Sequence, residues 1–208
     1  MDVYKTEDEQ LDSLRRWWDE NGKSALFGVI LGLGAIFGWR AWQSQQIETM
    51  EAASNIYQSA LVATGINDRS QAREKAMEVI NNYSDTGYAT YARLILAYLD
   101  NIESEYDSAE EHLRAALDEA NNPALQHEIN LRLARIYIAN NKIDQALTIV
   151  TNNDPGNFAS QYNEVMGDIY AAQGKVEEAR QAYEQAIAGS GELAYNPGVL
   201  NLKLEALR

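Results

Sequence analysis

Two histidines, His112 and His127, stand in a chain of 208 residues that has no cysteine. His112 follows Glu110 and Glu111, and such a carboxylate–imidazole group could hold a metal ion or move a proton near neutral pH. The surrounding pattern argues for neither. His112 falls beside Leu113 on the second helix of a predicted helical pair, where an exposed histidine needs no chemical role. The lack of cysteine removes disulfide frameworks, thiol nucleophiles and thiolate-bound zinc. Asp154-Pro155-Gly156 has the composition of a turn. Gly32-Leu33-Gly34 lies inside an apolar run and so cannot cradle phosphate. No P-loop, dinucleotide fingerprint or nucleophile elbow occurs. The expectation is a protein that is not an enzyme, with no catalytic residue, cofactor or metal.

In composition, 17 basic against 31 acidic side chains leave a formal charge of −14. Such a surface repels phosphate backbones, so nucleic acid is not an expected partner. Only three prolines occur, and Ala, Leu, Glu, Gln and Arg abound, as in a mostly helical chain.

From Ser24 to Trp39 no residue is charged; Lys23 precedes the run and Arg40 follows it. Extended through Trp42 it reaches the ~20 residues that a membrane-spanning helix requires. Trp17 and Trp18 frame one end, Trp39 and Trp42 the other. In a helix, Trp18 and Trp39 lie roughly 32 Å apart, which sets indole rings at both interfaces. The run has no polar face, unlike a soluble core helix. The tail before it is long and acid-rich, and no small-residue cleavage site follows closely, unlike a signal peptide. Arg15, Arg16 and Lys23 lie before the span, whereas after Arg40 the next basic residue is Arg69. This asymmetry predicts a cytoplasmic N-terminus and a C-terminal domain across the membrane, in a bacterium the periplasm. The pairs Gly28/Gly32 and Gly34/Gly38 have the spacing that lets another helix approach.

Beyond the span the chain repeats. Ala97 and Ala109, Ala134 and Ala146, and Gly167 and Ala179 are each twelve residues apart. Ala97 and Ala134 are 37 apart, Ala134 and Gly167 are 33 apart. This surrounds the 34-residue tetratricopeptide period. Small residues let paired helices touch, and larger ones such as Tyr137 and Tyr170 fill the space between pairs. Asn140-Asn141-Lys142 and Gln173-Gly174-Lys175 mark turns that tolerate the left-handed conformation. Residues 47–63 and 71–81 read as a more divergent pair, and Pro197 opens a last helix whose Leu200, Leu204 and Leu207 could cap the array. Gln43 to Met50 follows the span without a linker. The expected fold is all-α: a tail (1–23), one N-terminal transmembrane helix (24–42) and a tetratricopeptide-like α-solenoid (43–208).

Such solenoids curve, and the first helices of successive pairs line the concave face. The spacing predicts a protein-binding groove lined by Tyr91, Leu94 and Tyr98, then Glu128, Leu131, Arg135 and Ile138, then Gln161, Glu164 and Asp168. One end is aromatic and aliphatic, the other acidic.

Glu20-Asn21-Gly22-Lys23 leading into a glycine-rich span with Gly38-Trp39-Arg40, followed by Asn130-Leu131-Arg132-Leu133-Ala134-Arg135, resembles the YfgM family across essentially the whole chain. That family is the ancillary subunit of the bacterial SecYEG translocon. The resemblance implies a single-pass inner-membrane protein with periplasmic repeats. Its implied partners are the translocon, a membrane-anchored periplasmic chaperone of prolyl-isomerase type, and translocating client proteins. Its implied role is to pass newly translocated chains to periplasmic chaperones. The alternative is an inner-membrane regulator that restrains a stress-signalling protein through its tail or anchor.

Overall fold

The computed structural model describes residues 7–189 and 197–207. Its helices are α1 (Glu7–Gly65), α2 (Arg69–Asn82), α3 (Gly87–Ile102), α4 (Tyr106–Glu119), α5 (Pro123–Ala139), α6 (Ile143–Asn152), α7 (Ala159–Ala172), α8 (Val176–Gly189) and α9 (Pro197–Ala206), with a 3-10 turn at Gly156–Phe158. No strand occurs among the described residues. The chain divides into two compact units, Met1–Glu51 and Ala52–Arg208.

In the first unit, the apolar stretch of α1 is long and apolar enough to cross a membrane, and none of it is buried by the rest of the protein. This suits a helix whose solvent is lipid. Trp17 and Trp18 sit 6.4 Å apart, Trp39 and Trp42 5.0 Å apart, so each end carries an aromatic pair. A Cβ added at Gly28, Gly32, Gly34 or Gly38 would meet no atom within 4 Å. Both predicted glycine stripes are therefore open surfaces. The first six residues of the predicted tail lie outside the described residues.

In the second unit, α3/α4, α5/α6 and α7/α8 are the three predicted pairs. The end of α1 with α2 forms a fourth. The small residues stand where helices meet: Ala97 is 4% exposed, and Ala109, Ala134, Ala146 and Ala179 are fully buried. At Gly167 an added Cβ would lie within 2.5 Å of Tyr183 Cδ1, so the ring of α8 occupies the place of a side chain on α7. Ala60 and Ala72, again twelve apart, are fully buried in the first pair and extend the rule to it.

The turns are as regular. Asn67, Ser104, Asn141 and Gly174 have φ of 60°, 62°, 56° and 74°, one in each pair. The next residue's N–H returns to the fifth carbonyl before it: Asp68 to Ala63 (2.9 Å), Glu105 to Asp100 (2.8 Å), Lys142 to Tyr137 (2.7 Å) and Lys175 to Tyr170 (2.9 Å). This bond pairs a carbonyl that the helix end would leave without a partner, and the left-handed residue makes the bond possible.

Ion pairs tie successive pairs together. Arg73 of α2 bonds Asp100 (2.7 Å) of α3 and Glu103 (2.8 Å) just after it. Lys142 bonds Asp107 (2.8 Å) and Glu110 (3.0 Å) of α4, and the Tyr137 hydroxyl donates to Glu110 (2.9 Å). Burial would raise the Glu110 pKa, but hydrogen bonds from Lys142, Arg114 and Tyr137 outweigh it and hold the carboxyl below its usual range.

Candidate protein-binding groove

The first helices α3 and α5 part around a cavity of about 860 Å³, floored by α4 and closed at one side by the end of α1. Each wall is one helix face. Tyr57, Leu61 and Thr64 come from α1 at four- and three-residue steps. Tyr91, Leu94, Ile95, Tyr98 and Asn101 come from α3, and Glu128, Arg132, Arg135 and Ala139 from α5. These steps follow the 3.6-residue turn, which stacks every third or fourth side chain on one face. The floor is apolar, with Ala97, Leu113 and Ile136. Tyr91 and Tyr98 are 42% and 51% exposed, a large apolar area for residues so near a core. Tyr57 holds their wall: its ring lies 5.7 Å from that of Tyr88 and 6.0 Å from that of Tyr91. Burial raises the Tyr57 pKa, so its hydroxyl remains a neutral donor.

The predicted groove residues divide in three. Tyr91, Leu94, Tyr98, Glu128 and Arg135 line the cavity. Leu94, only 8% exposed, forms its base. Leu131 and Ile138 do not line it: Leu131 is 1% exposed in the main core, and Ile138 packs against that core. Arg132 and Ala139, one position on, face the groove instead. Both settings obey the helical period, so sequence spacing could not choose between adjacent faces some 100° apart.

The acidic end is closed. Arg135 of α5 reaches Glu164 of α7 at 3.6 Å. Lys203 of α9 bonds Glu164 (2.7 Å) and Asp168 (2.7 and 2.8 Å). The Tyr183 hydroxyl also donates to Asp168 at 2.8 Å, and burial, with the Asp168 charge beside it, drives the Tyr183 pKa far upward. Gln161 is half-buried with its amide oxygen enclosed and unbonded. These three residues are thus internal contacts rather than an open acidic surface.

His112 is not the exposed residue expected. Its side chain is 27% accessible, and Nε2 stands 3.6 Å from Oδ2 of the buried Asp100. Burial lowers its pKa against the opposing pull of Asp100, so the imidazole is neutral at pH 7. No cluster of three or more metal-ligating side chains occurs among the described residues.

Tyr57, Leu61, Thr64 and Arg132 were missed from sequence. The first three carried a signal, since they repeat at helical spacing within four residues of Ala60, which stands twelve residues before Ala72.

A family model described as a tetratricopeptide repeat-like domain matches residues 15–208. A solved tetratricopeptide repeat protein from Parabacteroides merdae is similar in fold, with a TM-score of 0.57 at 19% identity over 77% of this chain and 59% of that one. Two proteins named ancillary SecYEG translocon subunit are each 33% identical to this chain. The one from Aggregatibacter actinomycetemcomitans matches over 92% of this chain and 94% of its own, that from Escherichia coli over 90% of each. A third of that name, from Neisseria gonorrhoeae, is 26% identical over the full length of both. A repeat fold built on twelve-residue contacts, an apolar N-terminal helix and this full-length similarity place the chain in the family of ancillary SecYEG translocon subunits, within the tetratricopeptide repeat-like proteins.

Proposed function

We propose that this protein is a membrane-anchored adaptor of the Sec translocon that helps pass newly translocated proteins to periplasmic chaperones. The observation that carries the reading is the open groove between α3 and α5, in which two exposed tyrosines stand over an apolar floor. Tyrosine provides large contact area with little side-chain entropy to lose, and so suits a surface that binds other proteins. The relatives' shared name points to the translocon as one partner. A membrane-anchored prolyl-isomerase-type chaperone and translocating clients are the others. In this reading residues 24–42 span the inner membrane, 1–23 lie in the cytoplasm and 43–208 in the periplasm, an orientation that the basic asymmetry of the flanks supports.

A photocrosslinking residue at Tyr98 of the full chain, in native membranes, tests the reading. Crosslinks to translocon subunits, a periplasmic chaperone or secreted chains are expected. Crosslinks confined to cytoplasmic or signalling proteins would reject it. For topology, a reporter enzyme that works only in the periplasm is expected to be active when fused after Arg208; activity of a cytoplasm-only reporter there would reverse the orientation.

A further inference from the structure

Charge is distributed unevenly along the concave face. From α1 and α3 the groove receives no charged side chain; its three charged residues, Glu128, Arg132 and Arg135, all come from α5. Two cations against one anion is a local reversal in a chain of net charge −14. Both guanidiniums have donors to spare. Arg132 uses Nε on Glu128 at 3.0 Å, and among the described residues no acceptor meets its Nη groups. Among the described residues Arg135 pairs only with Glu164, at 3.6 Å. Elsewhere on this face, neighbouring first helices meet through opposite charges. The cation of α5 faces the carboxylate of α7, and the carboxylates of α7 face the lysine of α9. Where α3 should supply a carboxylate to α5 there is instead the cavity, flanked by Tyr91 and Tyr98.

Resting on the adaptor reading, we infer that the groove takes an amphipathic segment of a partner protein. Its aliphatic or aromatic side chains sit against Tyr91, Leu94 and Tyr98, and a side-chain carboxylate beside them pairs with Arg132 and Arg135. The carboxylate completes the alternation of charge that the gap interrupts. A guanidinium presents a planar fork of donors that matches a carboxylate, and the apolar walls strengthen that pair by excluding water. The overall negative charge opposes approach only weakly, because free ions screen charges more than about 8 Å apart at physiological salt.

The test uses the full chain in detergent micelles and three labelled amphipathic peptides of about four helical turns. They share one apolar stripe and carry Glu, Gln or Lys beside it. The Glu peptide is expected to bind at least tenfold tighter than the Lys peptide, with Gln between. The double change Arg132→Glu with Arg135→Glu is expected to reverse that order. Equal or tighter binding of the Lys peptide to the unaltered protein overturns the inference, as does a Glu preference that survives the reversal. If the double variant unfolds, Arg132→Gln decides, since it must shrink the Glu-to-Lys ratio. A groove filled by a second copy would appear as self-association displaced equally by all three peptides, and would also overturn it. No charge preference, with Tyr98 still crosslinking to the translocon, would remove this inference and leave the adaptor reading. A clear preference without such crosslinks would do the reverse.

Discussion

The two ends of one concave face are built from the same kind of helix, yet one is open and the other closed. Between α3 and α5 the chain leaves a cavity walled by exposed tyrosines. Beyond it α5 packs on α7 and α9 on α8, and an ion-pair chain runs along the same face from α5 through α7 to α9: Arg135, Glu164, Lys203 and Asp168. The difference teaches that charge on a concave face does not by itself mark a binding surface. Carboxylates that read as an acidic groove in sequence already have a cation from the protein's own last helix. Among the described residues the tyrosines Tyr91 and Tyr98 have no such internal cover.

If the closed end is structural, change there acts on stability. Gly167→Leu, forced against the Tyr183 ring, is expected to destabilise the full chain by about 3 kcal/mol through overpacking. Denaturant unfolding followed by helical circular dichroism measures this, and an unchanged midpoint would mean that α7 and α8 do not meet at Gly167.

Lys203→Met comes next. It leaves Asp168 and the 8%-exposed Glu164 carboxylate with weaker compensation. The expected loss is about 2 kcal/mol, below the range for a fully buried pair because Lys203 is partly exposed and Arg135 remains. A loss of binding without a loss of stability would instead make the acidic end part of the groove.

At the open end the signs exchange. Tyr91→Ala with Tyr98→Ala is expected to weaken partner binding at least tenfold, or about 1.4 kcal/mol, while the unfolding midpoint barely moves. Unfolding of that variant would make the tyrosines core residues and erase the distinction between the ends.

His112 tests the wall between α3 and α4. Its imidazole is buried enough that its folded pKa lies below the unfolded value, facing Asp100, Arg93, Glu111 and Arg73. The unfolded chain therefore takes up the proton first as pH falls. Stability is full above the unfolded value of about 6.5 and declines as pH drops from there toward the lower folded value. His112→Gln is expected to flatten that part of the stability–pH curve. An identical slope in the variant would mean that the imidazole has the same pKa folded and unfolded, with burial and the Asp100 charge cancelling.

The smallest effect is expected at Ser104, the one turn position of the four that holds neither Gly nor Asn, at φ 62°. Ser104→Gly relieves its left-handed strain and is expected to add about 0.5–1 kcal/mol of stability. A loss would mean that the serine side chain makes a contact that matters more than the strain.

The apolar run, the helical class and three helical pairs were legible in the residues themselves. A lipid-facing helix needs an uncharged stretch of fixed length. Two helices that touch need small residues at a fixed separation, and a tight turn needs a residue that tolerates positive φ. These are local requirements, and local sequence states them. Even the divergent pair kept the twelve-residue step between Ala60 and Ala72. What faces what was decided only in three dimensions. Helical period left Leu131 and Arg132 nearly equivalent; packing in the main core drew the leucine inward and turned the arginine to the groove. Glu164 and Lys203, 39 residues apart, meet only because α9 docks on the last pair. Tyr57 joins the groove because α1 ends beside α3. Period assigns a residue to a face of its own helix, but burial and charge pairing depend on the neighbour that covers that face, and that neighbour is chosen by the whole fold.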